Sequence, residues 1–287
     1  MEATVKGARA GGLVAAVLAG LLAFFQVDRL SGQVPSDLAR ERAEWEDWLG
    51  TAPTSPFAAL AQTPIGSGIT LGPGDTDVPL GGVALTRVTE ESAGVYLQSG
   101  GEKRILPRNR GTPLGSYLLR LTGPSRQSTL AVYGKPTGVR APTYFPYDRS
   151  LVFTASLNPP ARPGPQRLLT LEGVVVEAVA AGSLIVPLGA DKASLQVMRI
   201  PDPESGESDL MIYFRDQTNG DGSYPAGRFV LLLPAGGGNY QLDFNRARNP
   251  FCAYSTVYAC PAPWPGNTIA APVRAGEQYH ASSGSGN

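Results

Sequence analysis

Beyond position 50 the apolar residues of this chain come in short runs, and many of the runs alternate apolar with polar positions. They include GVALTRV (82–88), AGVYLQS (93–99), SYLLRLTG (116–123), STLAVYG (128–134), LVFTASL (151–157), LLTLEGVVVEAVA (168–180), GSLIVPLG (182–189), ASLQVMRI (193–200), LMIYFRD (210–216), RFVLLLP (228–234) and NYQLDFN (239–245). A period of two places alternate side chains on opposite faces, as half-buried antiparallel strands require. Gly, Pro, Asn and Asp punctuate the runs at the spacing of sandwiches and barrels. No long amphipathic helix separates them, which argues against a parallel α/β sheet. The pattern therefore predicts an all-β fold of mainly antiparallel, sandwich- or barrel-like sheets.

Two segments before position 51 break this pattern. AGGLVAAVLAGLLAFFQV, Ala10 to Val27, carries no charge and follows Lys6 and Arg9. As a helix it spans about 27 Å, close to a hydrocarbon core of about 30 Å. The preceding cations orient its N-terminus toward the cytoplasm. Bulky Phe24, Phe25 and Val27 stand where a signal peptidase wants small residues. We expect an uncleaved anchor over residues 1–33 and an extracytoplasmic remainder, with secretion after cleavage as the alternative. The second segment, SDLARERAEWEDWLG, reads as a short amphipathic helix over residues 34–50. Ser36 can cap it, Gly50 can end it, and Leu38, Trp45, Trp48 and Leu49 form one stripe. That stripe predicts packing on the β-rich body. The remaining boundaries are an N-terminal β-rich region over 51–140, a C-terminal one over 141–280 and a flexible, low-complexity tail over 281–287.

Composition refines the picture. Gly (35) and Pro (26) are abundant in the 287 residues, yet apolar residues make up 42%, so many turns between strands are implied and disorder is not. Lys plus Arg equals Asp plus Glu at 24 each. No global field attracts nucleic acid, and none is expected as a partner. EKRILPRNR (102–110) reads as a solvated loop, and the proline-rich NPPARPGPQ (158–166) as a loop or edge connection.

The residues richest in chemistry lie near the C-terminus, in DFNRARNPFCAYSTVYACPAPWPGN (243–267) and VRAGE (273–277). Just upstream stands YFRDQTNGDGSYPAGRF (213–229), and YFPYD (144–148), LGPGDTDVPL (71–80) and EWEDWLGTAPTSPF precede it. Together these resemble an uncharacterised bacterial family, domain of unknown function 1684. The resemblance is specific in the last third and looser before it. It departs from the family pattern at Phe251, where a second Pro is usual, and at Gly266, where a Glu is usual. The family brings no established activity, so the resemblance narrows the fold more than the function.

Within this region Asp216, Tyr224, Arg228, Asp243, Asn245, Asn249 and Glu277 are the candidates for one polar pocket over the sheet. Asn245 and Asn249 are turn formers, and Arg228 is a natural partner for Asp216 or Asp243. Two readings follow. The first is a noncatalytic ligand-binding or structural module, its unknown partner a small molecule or protein and its membrane contact made by the N-terminal helix. The second is a small hydrolase or lyase using Asp216, Asp243 or Glu277 as acid–base groups. No cofactor is implied. Cys252 and Cys260, eight apart, are open to a disulfide, to two free thiols, or to metal or redox chemistry. No metal site is expected, since His280 is the sole His. NGDGS (219–223) lacks the acidic ladder of a calcium loop and reads as a tight turn.

Overall fold

The computed structural model describes residues 32–108, 110–188, 191–201, 207–262, 264 and 266–280. The apolar segment Ala10–Val27 and the tail 281–287 lie outside the described residues. Among those described, no helix is long and apolar enough to cross a membrane. The described residues are mostly β, with one α-helix.

That helix, α1 (Ser36–Thr51), buries Leu38, Trp45 and Leu49 along the expected stripe. Its ends differ from expectation. Pro35 occupies the N-cap and no side chain caps the first turn, since Ser36 is already helical. The helix runs past Gly50 to Thr51, because the break is made by Ala52, whose position before Pro53 disfavours helical backbone.

Among the described residues nine strands precede position 134: β1 (Ala59–Pro64), β2 (Ile69–Gly72), β3 (Val78–Pro79), β4 (Thr86–Glu91), β5 (Gly94–Ser99), β6 (Glu102–Leu106), β7 (Thr112–Leu114), β8 (Tyr117–Thr122) and β9 (Thr129–Tyr133). They form a five-stranded sheet in the order β3-β2-β4-β5-β6 and a four-stranded sheet in the order β1-β9-β8-β7. The two share one core, in which Leu71, Val88 and Leu97 meet Leu119, Leu130 and Val132. The basic run 102–110 is partly a strand and not only a loop. Gly100 and Gly101, both at positive φ, turn the chain back so that β6 pairs with β5. Its exposed cations suit an edge strand, and Lys103 pairs with Glu91 at 2.6 Å.

The remaining strands are β10 (Val152–Ser156), β11 (Pro165–Leu169), β12 (Val175–Leu188), β13 (Asp191–Pro201), β14 (Ser208–Phe214), β15 (Arg228–Gly236) and β16 (Asn239–Asp243). They form a seven-stranded sheet in the order β10-β16-β15-β14-β13-β12-β11. LLTLEGVVVEAVA is split here: a turn at Gly173 separates β11 from β12. Its second half instead fuses with GSLIVPLG into the 14-residue β12, which bulges between Ala180 and Gly182.

The bulge lets the sheet close on itself. β11 pairs with the first half of β12, and beyond the bulge Ser183 exchanges backbone hydrogen bonds of 3.0 and 2.9 Å with Asn158, just past β10. Gly182 is required there, because a Cβ at its φ of +149° would lie 2.3 Å from the Asn158 carbonyl. Alternation then sorts the side chains. Leu210, Ile212 and Phe214 join Leu184, Leu195, Val230 and Leu242 on one face, while Met198, Tyr213 and Phe229 lie on the other.

The C-terminal chain covers both faces. Trp264 seals the Tyr213–Phe229 side, and Ile269, Ala271, Val273 and Ala275 pack into the other. Asn267 fixes the crossing point. Its buried amide accepts from the Gln196 N–H at 2.7 Å and donates to the Gln196 and Tyr213 carbonyls at 3.0 Å. One side chain thus mimics a strand edge toward both β13 and β14.

Candidate functional site

The signature residues gather where β14, β15, α1 and the last described residues meet, but they divide into linked buried clusters and do not surround one pocket.

Arg228 opens β15 with its side chain fully buried. Its Nη2 donates to Asp216 Oδ2 at 2.8 Å and to the Val273 carbonyl at 2.7 Å. Its Nη1 donates to the Ala275 carbonyl and, at 3.3 Å, to that of Glu277. Asp216 Oδ1 accepts from the Thr218 N–H (2.8 Å), the Thr218 hydroxyl (2.6 Å) and the Val273 N–H (3.1 Å). Burial lowers the Arg228 pKa from its ordinary value and Asp216 works against that shift. Guanidinium basicity is high enough that Arg228 stays a cation despite its burial. What clasps this pair is Val273–Glu277. The preceding cysteine-containing segment lies elsewhere: Phe251 and Tyr258 pack against Trp45 of α1, and Trp264 packs on the other face of the sheet. Gly276 makes the close approach possible: at φ +75° a Cβ would meet the Ala247 and Phe244 carbonyls at 2.6 and 2.7 Å.

Glu277 is the second centre, and it too has no exposed surface. Its Oε1 accepts from Trp45 Nε1 at 2.6 Å. Its Oε2 accepts from the Asn249 N–H at 2.8 Å and from the Tyr254 hydroxyl. Burial is the largest influence and raises the carboxyl above its ordinary range, although Tyr254, the Asn249 N–H, Arg248 and Trp45 all favour the anion. Tyr254 is pushed well up, by burial first and by Glu277 second.

Asp243 belongs to a third cluster. It caps the 3₁₀ turn at Phe244–Arg246 by accepting from the Asn245 N–H at 2.9 Å and from the Asn245 amide at 2.8 Å. Asn245 in turn exchanges hydrogen bonds of 2.9 Å with the backbone of Asp148. Arg246 Nε lies 3.3 Å from Asp243, and its other nitrogens reach Asp37 and Glu41 of α1. Arg248 reaches Glu41 at 2.9 Å and covers the Trp45 ring at 4.5 Å.

Cys252 and Cys260 form a disulfide, so neither is a free thiol. Tyr224 sits on it: its hydroxyl is 3.4 Å from Cys252 Sγ and 3.3 Å from Cys260 Sγ, and donates to the Cys252 carbonyl at 3.2 Å. The loop from Asp216 to Ser223 is a compact turn in which Asn219 Oδ1 accepts from the Asp216 N–H at 2.6 Å.

The seven expected pocket residues fall into separate groups of contacts. Asp216 and Arg228 pair directly, Arg228 touches the Glu277 backbone, and Asn249 touches the Glu277 carboxylate. Asp243 with Asn245, and Tyr224 with the disulfide, stand apart from that chain of contacts. None of Asp216, Tyr224, Arg228, Asp243, Asn245, Asn249 and Glu277 lines the hollow of about 800 Å³ or the hollow of about 370 Å³ found elsewhere among the described residues. Sequence reasoning did not place Asp37, Glu41, Thr218 or Tyr254 in the site, and it named Trp45 only for the packing stripe of α1. The one signal was the acidic flank beside the aromatic stripe of α1.

The family described as "Protein of unknown function (DUF1684)" matches residues 140–278, the span that holds the seven-stranded sheet and all three clusters' C-terminal residues. No curated protein matches the chain. Among solved structures it is similar to an uncharacterised protein of Haloarcula marismortui determined by solution NMR. The two are 31% identical over 50% of this chain and 78% of that one, with a TM-score of 0.43.

Proposed function

The chain belongs to the DUF1684 family of proteins of unknown function, and from that premise we propose a noncatalytic binding module, held at the extracytoplasmic face of a membrane by its N-terminal segment. The observation that carries the reading is the state of the carboxylates. Asp216 is committed to Arg228, and Glu277 to three donors with no exposed surface. A general acid or base must reach its substrate's proton. These groups reach only protein, which supports a role in fastening the C-terminal chain to the sheet. Glu277 retains the raised carboxyl that an acid–base enzyme would use. Its complete burial counts against that alternative.

The uncharged Ala10–Val27 segment behind Lys6 and Arg9 supports the tether. The sandwich- or barrel-like description is supported by the shared core of the first two sheets and by the Asn158–Ser183 closure of the third. Two experiments test the proposal. Full-length protein should sediment with membranes, resist alkaline extraction and be cleaved by protease added outside intact spheroplasts. Recovery in the soluble cytoplasmic fraction defeats the tether. Glu277→Gln and Asp216→Asn should lower the melting temperature. If stability is kept while a turnover found for the wild type is abolished, the noncatalytic reading fails.

A further inference from the structure

A groove of about 800 Å³ lies at the seam where the sheet closes, well within the size range of small-molecule sites. One wall is the proline-stiffened loop after β10, with Pro159, Pro160 and Arg162. The other is the β12–β13 hairpin, with Lys192 and Ser194, and the C-terminal chain at Gly266–Ala270 closes one side. A second hollow of about 370 Å³ shares Gln166 and Gln196 with the first, so the two run together. Apolar Leu168, Met198 and Trp264 lie along that extension. The buried Trp264 indole N–H has no partner among the described residues.

Charge is distributed one-sidedly. Arg162 and Lys192 line the groove, Arg167 lines the extension, and no described carboxylate lines either. Arg167 is partly occupied, donating to Gln127 at 3.0 Å, but Arg162 and Lys192 form no ion pair with a described residue. Amide and hydroxyl groups of Gln166, Gln196, Ser194 and Thr268 add hydrogen-bonding capacity between the cations and the apolar floor. Concave, mostly apolar space with a few convergent donors is the form that small-ligand sites take.

We propose that this groove binds a small organic anion, its carboxylate, phosphate or sulfonate head held by Arg162 and Lys192 and its apolar body laid toward Leu168, Met198 and Trp264. The inference rests on the binding-module reading and gives that module a site and a ligand class. It also moves the site away from the signature residues, which shape the groove only by fastening Gly266–Ala270 beside it.

The test is calorimetric titration of the full chain, in mild detergent, with naphthalene-2-sulfonate. Uncharged 2-naphthalenemethanol and inorganic phosphate serve as separate probes of body and head. Saturable binding of the sulfonate is expected, with each separate probe binding more weakly. Arg162→Glu with Lys192→Glu should weaken sulfonate binding at least about tenfold, as loss of charge-assisted hydrogen bonds does. Ser194→Trp, which fills the groove, should abolish it. Lys103→Glu, on the edge strand of another sheet, should leave it unchanged. Equal binding of the sulfonate by wild type and the Arg162/Lys192 variant overturns the site but leaves a binding module. Absence of sulfonate binding, or naphthalenemethanol binding as tightly, overturns the ligand class. Neither result bears on the membrane tether or on the carboxylate variants, which fail or stand by their own measurements.

Discussion

Trp45 donates its indole N–H to the Glu277 carboxylate at 2.6 Å, although 232 residues separate the two in sequence. The contact joins α1 to the last described part of the chain, and both side chains are buried. Trp45→Phe keeps an aromatic ring in the cluster with Trp48 and Phe251 while deleting the donor. A buried acceptor then loses a partner, which costs about 1–3 kcal/mol. Urea unfolding should show a lower midpoint with an unchanged slope. A midpoint equal to that of the wild type would show that the bond carries no weight.

Glu277 should also leave a mark on the pH dependence of stability. Its folded carboxyl is raised above the ordinary value of 4.5, chiefly by burial. Where the folded state holds this proton and the unfolded state has lost it, stability falls as pH rises. The contribution is complete below 4.5 and is lost as pH climbs through the raised folded value. Asp37, Asp77 and Glu90 are shifted the other way, so their contributions are present above their ordinary values and disappear on acidification. Melting curves of wild type and Glu277→Gln across pH 3–8 isolate the first effect, since the other three groups are common to both. The difference should favour wild type most at the acid end; a constant difference contradicts the assignment.

The Arg228–Asp216 pair predicts a strong asymmetry between single and double replacement. Asp216→Asn leaves a fully buried guanidinium without its counter-ion, and such losses cost about 3–5 kcal/mol. Arg228→Met strands Asp216 and the carbonyls of Val273 and Ala275. The double variant removes both charges together, so its loss of stability should be smaller than the sum of the two singles. Additive losses in a denaturation cycle would mean that the two side chains are not coupled.

How much of this was legible in the sequence depends on whether the determinant was local. Alternating runs such as LMIYFRD marked strands because their period alone divides Leu210 and Ile212 from Met211 and Tyr213. The stripe of Leu38, Trp45 and Leu49 marked the buried face of α1 for the same reason. Edge strand β6 hid behind its charges, which solvent tolerates on an edge as readily as in a loop. The split at Gly173 and the fusion through the Gly182 bulge were hidden because both depend on what lies across the sheet. Arg228 was recognisable as the partner of a nearby acid, but Asp216 and Asp243 both stood open, and only the fold selects Asp216, just past the end of β14. Nothing local tied Glu277 to Trp45, or Arg246 to Asp37. The groove was least legible of all, since it is bounded by a closure between Asn158 and Ser183 that only the assembled sheet contains.

The disulfide supplies the last prediction. Cys252 and Cys260 close a loop of sequence separation 8, and within it lie Tyr254 and Tyr258, with Phe251 just before. Those aromatic residues form the surface on which Trp45, Trp48 and Phe57 pack. Opening the loop thus acts twice. It returns chain entropy to the unfolded state, worth about 2–3 kcal/mol for so short a closure, and it frees the surface that α1 grips. Adding reductant should lower the melting temperature of the wild type. Cys252→Ser with Cys260→Ser should melt at that lower temperature with or without reductant. Because Trp45 and Trp48 stack at 5.0 Å beside Phe251, their fluorescence should shift to longer wavelength before the sheets unfold by circular dichroism. Coincident transitions by the two probes would mean that the disulfide stabilises the fold as a whole and has no special hold on the helix.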